Sequence, residues 1–255
     1  MYYSQCQEDI FLNKHIFKNK KNGVYIELGA LDGVLYSNTK FFEDSLNWKG
    51  ILIEPHPEKF KLLQINRPNN FLFNNLVSCH KEPLEFRYFM DCHAAVSGVE
   101  NTLSQHHFDT FFESNNELNK SLPQNKIFIN PISLTEIVKE TNLTHIDLLS
   151  LDVEGHEYEV LKSWDFSIPI NIILIETLGV QPEKDELCRE ILIKNNYRFI
   201  TKCHHNEIFA INTYKIDYGT MNRNRIPSLA LRNLARLLRF RNGYNQRRWG
   251  IIRNP

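Results

Sequence analysis

Four short stretches gather the residue types from which a reactive site can be built. Val24-Tyr25-Ile26-Glu27-Leu28-Gly29-Ala30-Leu31-Asp32-Gly33 runs from an apolar strand pattern into a glycine-containing turn, with Ser37 and Asn38 opening the helical pattern beyond it. Gly29 and Gly33 allow a tight turn and a close approach of backbone to ligand, and helix N-terminal amides can receive an anionic group such as a carboxylate. The full G-x-G-x-x-G is absent, so this layout describes a nucleotide-type site without specifying one. A second apolar run ends in Ile53-Glu54-Pro55. In doubly wound folds a carboxylate at the tip of strand two, roughly 20 residues beyond the glycine turn, accepts hydrogen bonds from ribose hydroxyls. The third stretch, Asp147 to Glu157, is an apolar strand that stops abruptly at Asp152, Glu154 and His156, and Glu176 ends another such strand. Like charges crowded at one strand edge cost stability, which implies a cation or a reacting group among them. The plain alternative is an acidic helix N-terminus favoured by the helix dipole, with His156 as its cap.

These residues need a scaffold that brings strand ends together. Apolar runs bounded by turn residues recur at Val24–Leu28, Gly50–Ile53, Phe71–Val77, Ile146–Leu151 and Ile170–Ile175 and read as buried strands. Segments with helical spacing separate them: Asp9–Lys18, Ser37–Leu46, Pro57–Asn66, Leu134–Thr141, Glu157–Trp164 and Lys184–Lys194. Such alternation is the signature of a parallel sheet covered by helices on both faces. Tyr197–Cys203 and Glu207–Tyr214, separated by His204, His205 and Asn206, predict a closing hairpin. Residues 81–130 are the least regular, with one strand candidate at Leu84–Met90; a loop that long in a compact domain is usually functional.

The 255 residues, 42% hydrophobic and 24% charged, suit one large globular domain and exclude a disordered or collagenous chain. Five scattered cysteines without a C-x-x-C suggest neither a disulfide framework nor a cysteine zinc site, and fit a reducing compartment. With no apolar run long enough to span a bilayer and no signal-peptide layout at the N-terminus, the expectation is a soluble, cytoplasmic protein. The zero net charge is uneven, because residues 221–255 hold nine Arg and no acid, against 21 basic and 30 acidic residues before them. A domain at 1–220 and a basic extension at 221–255 are therefore expected. In the extension Leu231, Leu234 and Leu238 recur at helical spacing while Arg225, Arg232, Arg236 and Arg239 share another face. Such a helix can pack on the acidic body, lie on an anionic membrane surface or dock a partner. An Arg run without a recognisable module argues against nucleic-acid recognition.

Ser4-Gln5-x-x-Glu8-Asp9, Glu27-Leu28-Gly29-Ala30-x-Asp32-Gly33, Ser37-Asn38-Thr39, Trp48-x-Gly50-x-Leu52-Ile53-Glu54-Pro55 and Leu151-Asp152-Val153-Glu154-Gly155-His156-Glu157 together resemble the FkbM-type methyltransferases. The resemblance covers about Ser4 to Tyr214 and leaves out the basic extension. It implies the class I methyltransferase fold, a three-layer Rossmann-like α/β architecture with a mostly parallel seven-stranded sheet and an antiparallel last strand. It also implies S-adenosyl-L-methionine as cofactor and O-methylation, commonly of sugar or polyketide-type hydroxyls. By the same resemblance Glu27, Gly29, Asp32 and Gly33 surround the methionine part and Ser37 and Asn38 lie near its carboxylate. Glu54 holds the ribose, Val77 and Ser78 border the adenine at the end of strand three, and Asp152 lies closest to the reacting methyl group.

The chemistry then requires an acceptor hydroxyl to lose its proton, and His156 is the first candidate base because an ordinary histidine titrates near neutrality. Asp152, Glu154 and Glu176 are hard oxygen donors suited to Mg or Mn, which would chelate neighbouring sugar hydroxyls. A sugar, glycan or glycolipid is the expected acceptor. Two other readings stand beside this one: a nicotinamide-dependent reductase on the same sheet, against which the missing G-x-G-x-x-G weighs, and a non-catalytic adaptor docking through its basic helix. The pairs His106-His107 and His204-His205 read as ordinary exposed histidines in irregular or turn segments.

Overall fold

The computed structural model describes residues 1–90, 92–112 and 124–217. The basic extension and its expected helix lie outside the described residues.

Ten strands are present among the described residues: β1 Val24–Leu28, β2 Lys49–Ile53, β3 Phe71–Phe73, β4 Leu84–Phe89, β5 Gly98–Val99, β6 Gln124–Ile129, β7 Ile146–Leu151, β8 Ile170–Glu176, β9 Tyr197–Cys203 and β10 Asn206–Ile211. Seven form one sheet in the order β3-β2-β1-β7-β8-β10-β9. The pairs among β3, β2, β1, β7 and β8 are parallel, while β10 runs antiparallel to both β8 and β9. This is the doubly wound sheet and closing hairpin that the alternating apolar runs predict. The α-helices among the described residues are α1 Glu8–Phe11, α2 Lys40–Leu46, α3 Pro57–Asn66, α4 Gln105–His107, α5 Leu134–Thr141, α6 Glu157–Lys162 and α7 Pro182–Lys194, with 3-10 or π-type turns at Leu12–Phe17, Cys92–Val96 and Phe108–Phe112.

Alternate residues of the strands feed two cores. Ile26, Leu28, Leu149, Leu151, Ile173 and Ile175 pack with Ile137 and Val138 of α5 and Leu192 of α7 on one face. Tyr25, Leu52, Ile172 and Leu174 pack with Phe41, Phe42 and Trp48 on the other. Each fully buried aliphatic side chain contributes about 1.5–3 kcal/mol through removal from water, so the register of β1, β7 and β8 is fixed from both sides.

Four expectations change. The helix predicted at Asp9–Lys18 is a short α-turn, α1, continuing as π-type turns through Leu12–Phe17. The helix predicted from Ser37 starts at Lys40, because Ser37 Oγ instead accepts the N–H groups of Thr39 and Lys40. Strand three stops at Phe73 rather than Val77: the Asn74 side-chain amide donates to the carbonyls of Glu54 and Pro55 and turns the chain away. The segment read as irregular contains β4, β5 and β6, a small antiparallel sheet in the order β5-β4-β6 around Leu76, Phe86, Tyr88 and Val99.

Candidate active site

The register of the main sheet brings four chain segments out of one edge side by side. Leu28 pairs with Ile53 of β2 and with Leu151 of β7, and Leu151 pairs with Ile175 of β8. The residue that follows each of these is therefore displayed along a common edge: Gly29, Glu54, Asp152 and Glu176. This is the carboxyl edge at which open α/β sheets bind ligands.

Gly29 is in the left-handed region, φ +74°, and a Cβ there would lie 2.0 Å from the Asp152 carbonyl oxygen. The tips of β1 and β7 touch at this point because no side chain separates them. Glu54 is 3% exposed, and one oxygen accepts from Leu31 N and the other from His56 N, both at 2.7 Å. Each oxygen retains a lone pair, a donor set that fits two vicinal hydroxyls. Burial pushes the Glu54 carboxyl up to about 7.

Other residues assigned to the cofactor are bonded within the protein. Glu27 accepts from Ser37 Oγ, Asn38 N and Thr39 Oγ1, at 2.6 to 3.1 Å, and so fixes the loop before α2. Asn38 donates its side-chain amide to Ser150 Oγ on β7, Asp32 caps the turn by accepting from the N–H groups of Val34 and Leu35, and Gly33 packs over Leu63 and Arg67. Val77 and Ser78 are buried beyond the end of β3, where Val77 bridges to Ile132 and Ser78 N donates to the Ile132 carbonyl. Beneath this loop Arg67, fully buried, donates to the Gly33 carbonyl, Tyr25 Oη, Thr39 Oγ1 and Glu43.

The acids do converge. One carboxylate oxygen each from Asp152, Glu154 and Glu176 lie within 4.8 Å of one another. Burial pushes all three above the ordinary carboxylate range; repulsion from neighbouring acids adds to the rise at Glu154 and Glu176, whereas at Asp152 the added repulsion comes from Glu8 and Glu27 and interaction with Glu176 opposes it. Glu157 adds a fourth acid held up at about 7 by burial, although its Oε1 accepts from Val153 N and Gly155 N. Lys184, whose side chain lines the same cleft, donates to the carbonyls of Thr102 and Gly155. The turn that presents these groups needs two left-handed residues, Glu154 at φ 55° and Gly155 at φ 93°. A non-glycine residue there costs of order 1–3 kcal/mol and persists where the surroundings enforce it. Three oxygen donors with excess negative charge fit a divalent cation.

His156 is placed differently from a solvent-facing base. It is 2% exposed and precedes α6, with Nδ1 3.0 Å from Thr102 Oγ1 and Nε2 without a hydrogen-bond partner among the described residues. Burial, with Lys184 and His80 nearby, lowers its pKa to about 3, so the ring is neutral and a weak proton acceptor in this setting. His107, expected with His106 to be an ordinary exposed histidine, is instead 7% exposed, with Nδ1 3.5 Å from Glu154 Oε2. Ser104, His107, Glu154, Glu157, Glu176 and Lys184 line one cleft of about 30 Å³, room enough for an ion or a water molecule or two. Nothing in the spacing of residues 81–130 could place His107 there, because the contact depends on the small second sheet.

The strand order and the antiparallel strand beside β8 are those of the class I methyltransferase fold. The profile of the methyltransferase FkbM domain matches residues 27–199, and the chain belongs to that family, which implies use of S-adenosylmethionine. The nicotinamide reading is set aside accordingly. No curated protein sequence matches the chain. Among solved structures it is similar to a Methanococcus jannaschii fibrillarin pre-rRNA processing protein, at 13% identity and TM-score 0.40 over 77% of this chain and 69% of that one. It is also similar to a precorrin-6y C5,15-methyltransferase from Geobacter metallireducens GS-15, at 11% identity and TM-score 0.38 over 79% and 84%. Among the described residues no helix is long and apolar enough to cross a membrane.

Proposed function

We propose that this chain is an O-methyltransferase acting on a sugar hydroxyl, in a glycan, a glycolipid or a sugar-bearing small molecule. The observation that carries the reading is the convergence of Asp152, Glu154 and Glu176 beside the Gly29 turn. S-Adenosylmethionine supplies an activated methyl group on a sulfonium. Glu54 would hold its ribose, the Gly29–Gly33 turn its methionine part with Ser37 and Asn38 behind, and Val77 and Ser78 its adenine. An alcohol needs a base, and the neutral, buried His156 is poorly suited to the task. Without an ion, the raised proton affinity of the Asp152 and Glu176 carboxyls makes this pair the better acceptor for the hydroxyl proton; with an ion bound the same carboxylates would serve as its ligands and the hydroxyl would be acidified by the ion itself. A divalent ion, Mg or Mn among the hard cations, would be held by Asp152, Glu154 and Glu176; it would increase the acidity of neighbouring hydroxyls and orient them. Vicinal hydroxyls are the groups such an ion chelates, hence the preference for a carbohydrate. Incubation with methyl-tritiated cofactor and a panel of glycans and free sugars tests this. Label in a carbohydrate fraction, lost in Asp152→Asn, is expected; label in none, with the cofactor still bound, would favour a non-catalytic adaptor.

A further inference from the structure

The outer face of α7 mixes apolar and acidic side chains. Glu183, Leu187, Glu190 and Ile193 are all exposed, and steps of three or four residues place them in one stripe along the helix. Leu187 and Ile193 are 38% and 41% exposed, and Leu178 and Val180, just before α7, are 43% and 45% exposed. Glu183 and Glu190 make no ion pair among the described residues. Two basic groups of the helix are engaged elsewhere: Lys184 donates to the carbonyls of Thr102 and Gly155, and Arg189 pairs with Glu186 and Glu207. Lys194 stands at the far end of the stripe. An exposed apolar stripe edged by unpaired acids suits a partner with leucines on one face and cations beside them.

The chain carries that pattern itself. Leu231, Leu234 and Leu238 recur at helical spacing beside Arg232, Arg236 and Arg239, in an extension with nine Arg and no acid. At 1.5 Å per residue, Leu187 and Ile193 are about 9 Å apart along α7, and Leu231 and Leu238 would be about 10.5 Å apart along the expected helix. The path of the chain also fits. Asn212 N donates to the Asn196 carbonyl at 2.9 Å, and Asn196 N donates to the Ile193 carbonyl at 3.2 Å, so the chain leaves the sheet beside the last turn of α7. Residues 218–226 then reach about 30 Å when extended. A tether of this kind holds the next segment at an effective concentration on the order of millimolar, so a contact too small to capture a separate protein suffices.

We propose that residues 227–241 dock antiparallel along α7, with their leucines on Leu187 and Ile193 and their arginines facing Glu183 and Glu190. The direction follows from the path: the segment arrives at the Ile193 end and runs towards Leu178 and Val180, which line the acidic cleft. Charge selects this occupant. A second copy presenting the same stripe would set acid against acid, and an anionic lipid surface would repel Glu183 and Glu190. The docking goes beyond the methyl-transfer reading and does not depend on it.

The test uses the full chain with the photo-cross-linker p-benzoylphenylalanine in place of Leu187, and a control with it in place of Phe128 on the small second sheet. Irradiation of the monomer is expected to join position 187 to peptides from residues 227–241, and the control should give no such link. Glu183→Arg with Glu190→Arg should lower the yield about three- to tenfold. Adding Arg232→Glu, Arg236→Glu and Arg239→Glu to that pair should restore it, which a general loss of folding would not allow. Equal links from the control, links only between chains, or a yield that ignores the charge reversals overturns the docking. Residues 227–241 left unlinked while the full chain sediments with phosphatidylserine vesicles would assign the extension to a membrane surface instead.

Discussion

A β-carbon on Gly29 would lie 2.0 Å from the carbonyl oxygen of Asp152. The two residues follow paired strand ends, so this contact sets the distance between the turn that leaves β1 and the acids that leave β7. Gly29→Ala must both adopt φ +74° and displace the Asp152 backbone. The expected result is at least a tenfold loss of S-adenosylhomocysteine affinity by calorimetry, accompanied by loss of stability on the order of 1–3 kcal/mol. Wild-type affinity in a folded variant would show that the contact is unimportant to the cofactor.

Glu54 gives a prediction with a definite sign. Burial raises its carboxyl to about 7, above the ordinary carboxylate value of 4.5. A group shifted in that direction favours the native state fully below the unfolded value, and the contribution fades as pH rises through the folded one. Relative to wild type, the unfolding free energy of Glu54→Gln should therefore increase between about pH 4.5 and 7. Urea unfolding of the cofactor-free protein measures it, and a difference that stays constant with pH contradicts the assignment. The same variant should bind S-adenosylhomocysteine about 10–100-fold more weakly, as expected for lost hydrogen bonds to a charged acceptor.

Arg67 supports the cofactor turn from below. It is fully buried and its guanidinium reaches Gly33, Tyr25, Thr39 and Glu43 at once. Removing one partner of such a buried network strands the others, so Arg67→Leu should cost about 3–5 kcal/mol. Arg67→Lys should rescue little, since an ammonium cannot reproduce the planar fork. A lysine variant with the wild-type urea midpoint would refute the network's importance.

His156 should behave as a positioning residue. With its ring held neutral by a pKa near 3, the acid limb of the pH–kcat/KM profile belongs to the carboxylates. His156→Gln is expected to leave that limb in place and reduce turnover less than about tenfold, below the usual 10²–10⁴-fold contribution of a general base. Displacement of the limb in the variant would restore His156 to the proton transfer.

Much of this architecture is legible in the sequence because it rests on local signals. Apolar runs such as Ile146–Leu151 are buried on both faces and permit no other assignment in a parallel sheet. Once the strands align, Asp152 and Glu176 must emerge together, and their spacing in the chain carries that information. What sequence reasoning missed depends on tertiary contact. The His107 ring reaches Glu154 only through the small second sheet, whose β5 is two residues long. The depth of His156 follows from the packing of Thr102 and Lys184 over the β7–α6 turn, and Glu27 is bonded to Ser37, Asn38 and Thr39 by a loop closure that no periodicity announces.

The central claim is methyl transfer to a carbohydrate oxygen at the carboxyl edge of β7 and β8. Methyl-¹³C-labelled S-adenosylmethionine, incubated with the full chain, a divalent ion and sugar acceptors paired with their single-deoxy analogues, permits a direct reading by carbon NMR. The account predicts a new methoxy resonance that disappears with one particular deoxy analogue and in Asp152→Asn. A labelled methyl on nitrogen or carbon, or a methoxy signal undiminished in Asp152→Asn, would contradict it.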